Sequence, residues 1–210
     1  KYIGYEIKRN RLKNCFEVSM KRKIEDAMND FGITVGNKRV RNPAKNGNFS
    51  KLKKESVPYG DIKSYRSLVM TMAYISAVHP AIKYHVGYLA TKQSNPSTDD
   101  WDKAVHIMKY LGSSKDDCME IHAFGTERTI DVYQDAAYDV YGDSKSQSGI
   151  VVFIAGPKCA IYAASNKQHC VTRSSCDAEV VAAETGTILG SYYKDVLNEL
   201  GFRMNVVHHE

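Results

Sequence analysis

The chain has 210 residues, 43% hydrophobic and 25% charged, enough for one large or two small domains with a packed core, and a poor match to global disorder. No run approaches the ~18 apolar residues of a membrane span and no signal-peptide pattern opens the chain, so no membrane partner is expected. The net charge of +5 hides an asymmetry: residues 1–63 carry 16 Lys/Arg against 7 Asp/Glu, whereas residues 64–210 carry 13 against 17. A basic first third suits a polyanion such as a phosphate backbone; on composition alone it suits a solvated surface equally well.

Taken in order, Lys1–Lys8 and Asn14–Met20 flank the turn-prone Asn10-Arg11, with Tyr5, Ile7, Phe16 and Val18 alternating as in a hairpin. Ile24, Ala27, Met28 and Phe31 follow helical spacing up to Gly32. Gly36 to Gly60 is rich in Gly, Asn, Lys and Pro, with seven basic residues, and reads as a linker or long loop. Three helices follow. Tyr65, Leu68, Val69, Met72 and Ile75 stripe the first; Ile82, Val86 and Leu89 stripe the second, after Pro80. Trp101, Ala104, Val105, Met108 and Leu111 stripe the third, capped by Ser97 or Thr98. These stripes are core faces.

From residue 127 the period changes to that of strands, at Thr129–Asp135, Gly149–Ala155 and Cys159–Ala164, with a tight turn at Gly156-Pro157. A helix starts near Ser174, which stands three residues before Asp177 as in a capping box, and Gly186 and Gly190 weaken or segment its later part. Val206–Glu210 opens a fourth strand, which a crossover helix returns parallel to the first. The fold class is α+β or α/β. The chain opens at Lys1 and closes at Glu210 in strand-like sequence, so it is expected to be an excerpt of a longer one. Five scattered cysteines and seven histidines lack zinc spacing, fit reduced thiols, and lead us to expect no structural zinc site.

Two carboxylates stand out. Asp135 ends the first strand of the last segment, and Glu179 sits early in the following helix. If helix and sheet pack together, both converge at one sheet end, and oxygen ligands from two rigid elements suit Mg²⁺. By spacing alone, a turn residue and a dipole-favoured helix residue explain them more often. Ser146 and Ser148 precede a strand and read either as phosphate contacts or as a polar hairpin loop.

The string YQDAAYDVYGDSKSQSGIVVFIAG, then SNKQ, then SSCDAEVVAAE, resembles the ribonuclease H domain of copia-type long-terminal-repeat retrotransposon Pol polyproteins. YRSLVMTMAYISAVHPAIKYHVGYLA and NPSTDDWDKAVHIMKYL resemble the segment between polymerase and ribonuclease H in that family. KYIGYEIKRNRLKNCFEVSMKRKIEDAMNDFGI resembles the hairpin and helix after the reverse-transcriptase active site. The resemblance implies four segments: the end of reverse transcriptase at 1–35, a basic linker at 36–63, a helical connecting segment at 64–126, and a ribonuclease H-like domain at 127–210. It implies a mixed sheet with helix, preceded by a β-hairpin and a mainly helical part.

The resemblance also implies that Asp135 and Glu179 are catalytic and help hold two Mg²⁺ ions for hydrolysis of RNA in RNA–DNA hybrids, as a two-ion clamp on the attacking and leaving oxygens requires. The basic charge of the first third makes Lys21, Arg22 and Lys23 the expected nucleic-acid contacts, with Ser146 and Ser148 as candidate phosphate contacts. The resemblance implies the rest of the polyprotein as partner and a cytoplasmic particle or the nucleus as location. Cys176-Asp177 stands where the family has Thr-Glu, and His79-Pro80-Ala81 where it has Arg-Pro-Asp. No Tyr-x-Asp-Asp polymerase signature is present, and the family's next acid would fall after Glu210. The chain alone is therefore expected neither to polymerise nor to cleave. A reading from another class is a non-catalytic nucleic-acid-binding or scaffold remnant of a decayed or co-opted element.

Overall fold

The computed structural model describes residues 2–44, 49, 56–122, 128–141, 143–154 and 160–209. The Gly156-Pro157 turn lies outside them, as do Ala155, Cys159 and Glu210 at the ends of expected strands. The chain divides into two compact units, Lys1–Lys8 with Val18–Met119, and Arg9–Glu17 with Glu120–Glu210.

In the first unit, α1 (Lys21–Asp30), α2 (Ile62–Ile75), a 3-10 turn at Pro80–Ile82, α3 (Lys83–Ala90) and α4 (Thr98–Ser113) follow the expected helical spacing. Gly32 ends α1 at φ +61°, where a side chain would be strained. Asp61 caps α2 by accepting from the Ser64 N–H at 3.0 Å. Ser97 caps α4 in a capping box with Asp100, so the cap is Ser97 and not Thr98. Tyr65, Leu68, Met72, Ile75, Leu89, Ile107, Met108 and Leu111 are fully buried and form the helical core. Tyr65 can be buried because its hydroxyl donates to the Leu89 carbonyl at 2.8 Å.

β1 (Glu6–Asn10), β2 (Cys15–Ser19) and β3 (Met119–His122) form a three-stranded sheet in that order. Ile7 and Phe16 lie outward, about half exposed, while Cys15 is buried. β3, inside the stretch read as a helical connecting segment, is a strand too short to show an alternating pattern.

The second unit also contains a four-stranded sheet in the order β6-β5-β4-β7, made of β4 (Thr129–Ala137), β5 (Lys145–Ile154), β6 (Ala160–Val171) and β7 (Asn205–His209). β4 pairs antiparallel with β5 and parallel with β7, and β5 pairs antiparallel with β6. The parallel return is the one expected from the crossover helix. β5 and β6 run further than their apolar stretches, because the polar ends Lys145–Ser148 and Ser165–Val171 still pair across the ladder. α5 (Ser175–Glu199) is one continuous helix of 25 residues. Gly186 and Gly190 do not segment it; both are buried against the sheet, so packing outweighs their low propensity. Ile130, Val132, Ile150, Val152, Leu197 and Met204 form the core between α5 and the sheet.

Candidate active site

Position along the sheet follows from which side chains α5 meets. A Cβ at Gly190 would lie 2.8 Å from Val206 Cγ1 and 3.1 Å from Val132 Cγ2, and one at Gly186 would meet the Gln134 side-chain amide. Going from Gly190 back to Gly186 thus moves along β4 from Val132 to Gln134, and α5 runs antiparallel to β4. Glu179 is seven residues before Gly186, nearly two turns, so it lies on the same stripe ~10 Å further along. At ~3.3 Å per strand residue, that is level with the C-terminal end of β4, a residue or two past Asp135.

Asp135 and Glu179 therefore occupy the same end of the sheet, and both are exposed. They leave it differently. Ile130 and Val132 pack under α5 and Gln134 meets it, so strand alternation turns Asp135 to the opposite side of β4. Asp135 Oδ1 accepts from the Ala136 N–H at 2.8 Å. Its register partner in β5 is Gly149, which adds no side chain beside it. The two carboxylates are solvent-reachable hard oxygen donors on separate elements, and the alternation of β4 turns Asp135 away from the side that carries Glu179.

The start of α5 is held by specific bonds. The Ser174 hydroxyl accepts from the Asp177 N–H at 3.1 Å, and Asp177 Oδ2 accepts from the Arg173 N–H at 3.2 Å. Gln168, buried on β6, donates through Nε2 to the Ser148 hydroxyl and to the Ala178 carbonyl, both at 2.9 Å. One amide thus ties β5, β6 and the first turn of α5, next to Glu179. Nothing in the sequence points to Gln168 beyond its place in the SNKQ segment.

Ser146 and Ser148 are buried, which corrects their expected role as phosphate contacts. The Ser146 hydroxyl is 3.0 Å from Thr172 Oγ1 and accepts from the Asp139 N–H at 3.3 Å, while Ser148 is held by Gln168. They brace the sheet rather than offering hydroxyls to solvent. In the first unit, Lys21 pairs with Asp116 at 2.6 Å and Arg22 lies 3.4 Å from Glu6. The Asp116 carboxylate holds the Lys21 ammonium pKa above its ordinary value. Such exposed pairs are weak, so both cations remain exchangeable for a phosphate. Lys23 lines a cleft of about 580 Å³ with Asp30, Asp61, Lys63 and Ser64.

No family model matches the chain, and no solved structure does. Among curated proteins it is similar to Retrovirus-related Pol polyproteins of plant transposons. It is 29% identical to that from transposon TNT 1-94 of Nicotiana tabacum over 95% of the chain and 15% of that protein. It is 26% identical to those from transposons RE2 and RE1 of Arabidopsis thaliana, over 69% of the chain and 10% of each protein. The chain thus spans about a seventh of the longest match, and its relationship is to a piece of a Pol polyprotein. Among the described residues, no helix is long and apolar enough to cross a membrane.

Proposed function

We propose that the chain is a fragment of a retrotransposon Pol polyprotein, from the end of reverse transcriptase at 1–35, through the linker at 36–63 and connecting segment at 64–126, to a ribonuclease H-like domain at 127–210. In the complete domain, Asp135 and Glu179 hold Mg²⁺ and the RNA strand of an RNA–DNA hybrid is hydrolysed. The carrying observation is the β6-β5-β4-β7 sheet, whose parallel β4–β7 pair is bridged by α5, with Asp135 and Glu179 at one end. The similarity to one transposon Pol polyprotein along 95% of the chain, and to two others along 69%, supports it.

In this reading Asp135 and Glu179 would hold Mg²⁺, and the bound metal would supply charge neutralisation for phosphodiester hydrolysis. Bases of the first third, Lys21, Arg22 and Lys23, contact phosphates and add affinity without reading sequence. The setting is intracellular, in a particle or the nucleus.

The test uses the chain extended past Glu210 to restore the further acids. Asp135→Asn and Glu179→Gln should each abolish Mg²⁺-dependent hybrid cleavage while leaving hybrid binding intact, because the phosphate contacts are untouched. Normal cleavage by either variant refutes the assignment. Asp135 turning away from the α5 side of β4 favours a second reading, a non-catalytic binding or scaffold remnant. Binding of hybrid without cleavage by the extended wild-type chain would establish it.

A further inference from the structure

A second cluster of ligand-bearing side chains lies on the three-stranded sheet, in the same compact unit as Asp135 and Glu179. Glu120 and His122 are two residues apart in β3, so alternation turns them to one face of the strand. Cys15, on neighbouring β2, is only 3% exposed. A Cys15 sulfur, a Glu120 oxygen and a His122 ring nitrogen all lie within 4.8 Å of one another. Glu120 Oε2 is 3.1 Å from His122 Nε2, and Glu120 Oε1 is 2.5 Å from Lys13 Nζ. The carboxylate already binds on both sides, with one oxygen on the Lys13 ammonium and the other on the His122 ring.

We propose that Cys15, Glu120 and His122 form a zinc-binding site. The donor set selects the metal. One thiol and one imidazole exclude Mg²⁺ and Ca²⁺, which take oxygen, and a single thiol is too few for an iron–sulfur cluster. Zn²⁺ accepts all three donor types, at ~2.0–2.3 Å. Those bond lengths place tetrahedral ligand atoms roughly 3.3–3.8 Å apart, so the cluster closes from its 4.8 Å limit with about an ångström of side-chain movement. Three protein ligands leave a fourth position for water. Lys13 stays on the outer carboxylate oxygen and orients Glu120, as hydrogen-bond partners of metal ligands commonly do. The ion would cross-link β2 to a strand about a hundred residues later, so binding adds to the stability of that pairing. This site has different chemistry from the oxygen-only Asp135–Glu179 pair and stands whether or not that pair is catalytic.

The experiment is titration of the reduced chain with Co²⁺ as a spectroscopic probe, followed by displacement with Zn²⁺. The wild-type chain should give a thiolate-to-cobalt charge-transfer band and the intense visible bands of tetrahedral cobalt, both lost on adding zinc. Cys15→Ser should remove the charge-transfer band. His122→Ala and Glu120→Gln should weaken binding by more than about tenfold, since loss of even an outer partner costs 10–100-fold. Cys170→Ser, at an exposed cysteine, should change nothing. Should Cys15→Ser not fold, Glu120→Gln keeps the test decisive, because a neutral isostere of a side chain 31% exposed preserves packing. No tetrahedral spectrum in the wild type, or a charge-transfer band that persists in Cys15→Ser, overturns the site.

Discussion

Gly190→Ala and Gly186→Ala form a matched pair that tests how closely α5 approaches the sheet. Each change gains about 1 kcal/mol of helix propensity. At Gly190 the new methyl would lie 2.8 Å from Val206 Cγ1 and 3.1 Å from Val132 Cγ2. Ordinary carbon contacts are ~3.5–4.0 Å, so two stiff β-branched side chains must retreat, Val132 from a fully buried position. Overpacking of that kind costs ~1–3 kcal/mol, which leaves Gly190→Ala destabilised by about 0–2 kcal/mol. At Gly186 the nearest obstacle is the far end of Gln134, a flexible side chain that can swing away. Moving Gln134, with a few tenths of an ångström of give from Val132 Cγ1 at 3.3 Å, costs ~0.5–1.5 kcal/mol, and the propensity gain roughly cancels it.

Gly190→Ala should therefore be the less stable variant by about 1 kcal/mol. Native-state hydrogen exchange of the β4 amides reads the difference locally, because every ~1.4 kcal/mol is a tenfold change in the opening equilibrium. Equal protection in the two variants, or stronger protection in Gly190→Ala, would refute the argument that helix and sheet are in contact at Gly190.

Three further outcomes are expected. Ser174→Ala removes the cap of α5 and should cost about 1 kcal/mol, with faster exchange confined to the first turns around Glu179. Burial holds the His79 and His85 pKa values below the ordinary histidine value. The unfolded chain then takes up protons first, so stability should fall as pH drops below ~6.5 and level off once the folded histidines protonate. Urea midpoints at several pH values check this; in His79→Gln the slope between pH 7 and 5 should shrink, and an unchanged slope refutes the assignment. Finally, nucleic-acid affinity should fall with salt, and replacing Lys21, Arg22 and Lys23 by Gln should reduce the logarithmic slope by about 0.9 for each phosphate no longer neutralised. An unchanged slope places the phosphate-binding cations elsewhere.

The elements legible in the sequence were those with local causes. The helical stripes of α2, α3 and α4, the Ser97 and Ser174 caps, and the strand-to-helix change near residue 174 need only neighbours three or four residues apart. What escaped depends on partners distant in sequence. β3 is a strand because it pairs in a sheet, and its four residues carry no period of their own. Cys15 rather than Phe16 is buried for the same reason. Ser146 and Ser148 read as a polar loop because their partners, Thr172 and Gln168, arrive from β6 and the turn after it. Asp135 and Glu179 stood out by position and took their metal-binding role from the resemblance, and spacing could not say on which side of β4 Asp135 lies.

The positions of Gly186, Gly190 and Gln168 connect these observations. Isolated glycines lower helix propensity, and the sequence accordingly suggests a weak point in α5. In the folded chain they lie where Val132, Gln134 and Val206 meet the helix, and a side chain at Gly190 would press α5 away from Val132 and Val206. Gln168 fixes the other end of the same packed face by holding the Ala178 carbonyl and the Ser148 hydroxyl with one amide. A helix held close at Gly190 and bonded at Ala178 has little freedom to slide along β4. Glu179, one residue beyond Ala178, therefore takes its level at the end of the sheet from packing two to three turns away. Substitutions at Gly190 or Gln168 would shift that carboxylate without touching it, and the shift should appear first as weaker exchange protection at the α5 N-terminus.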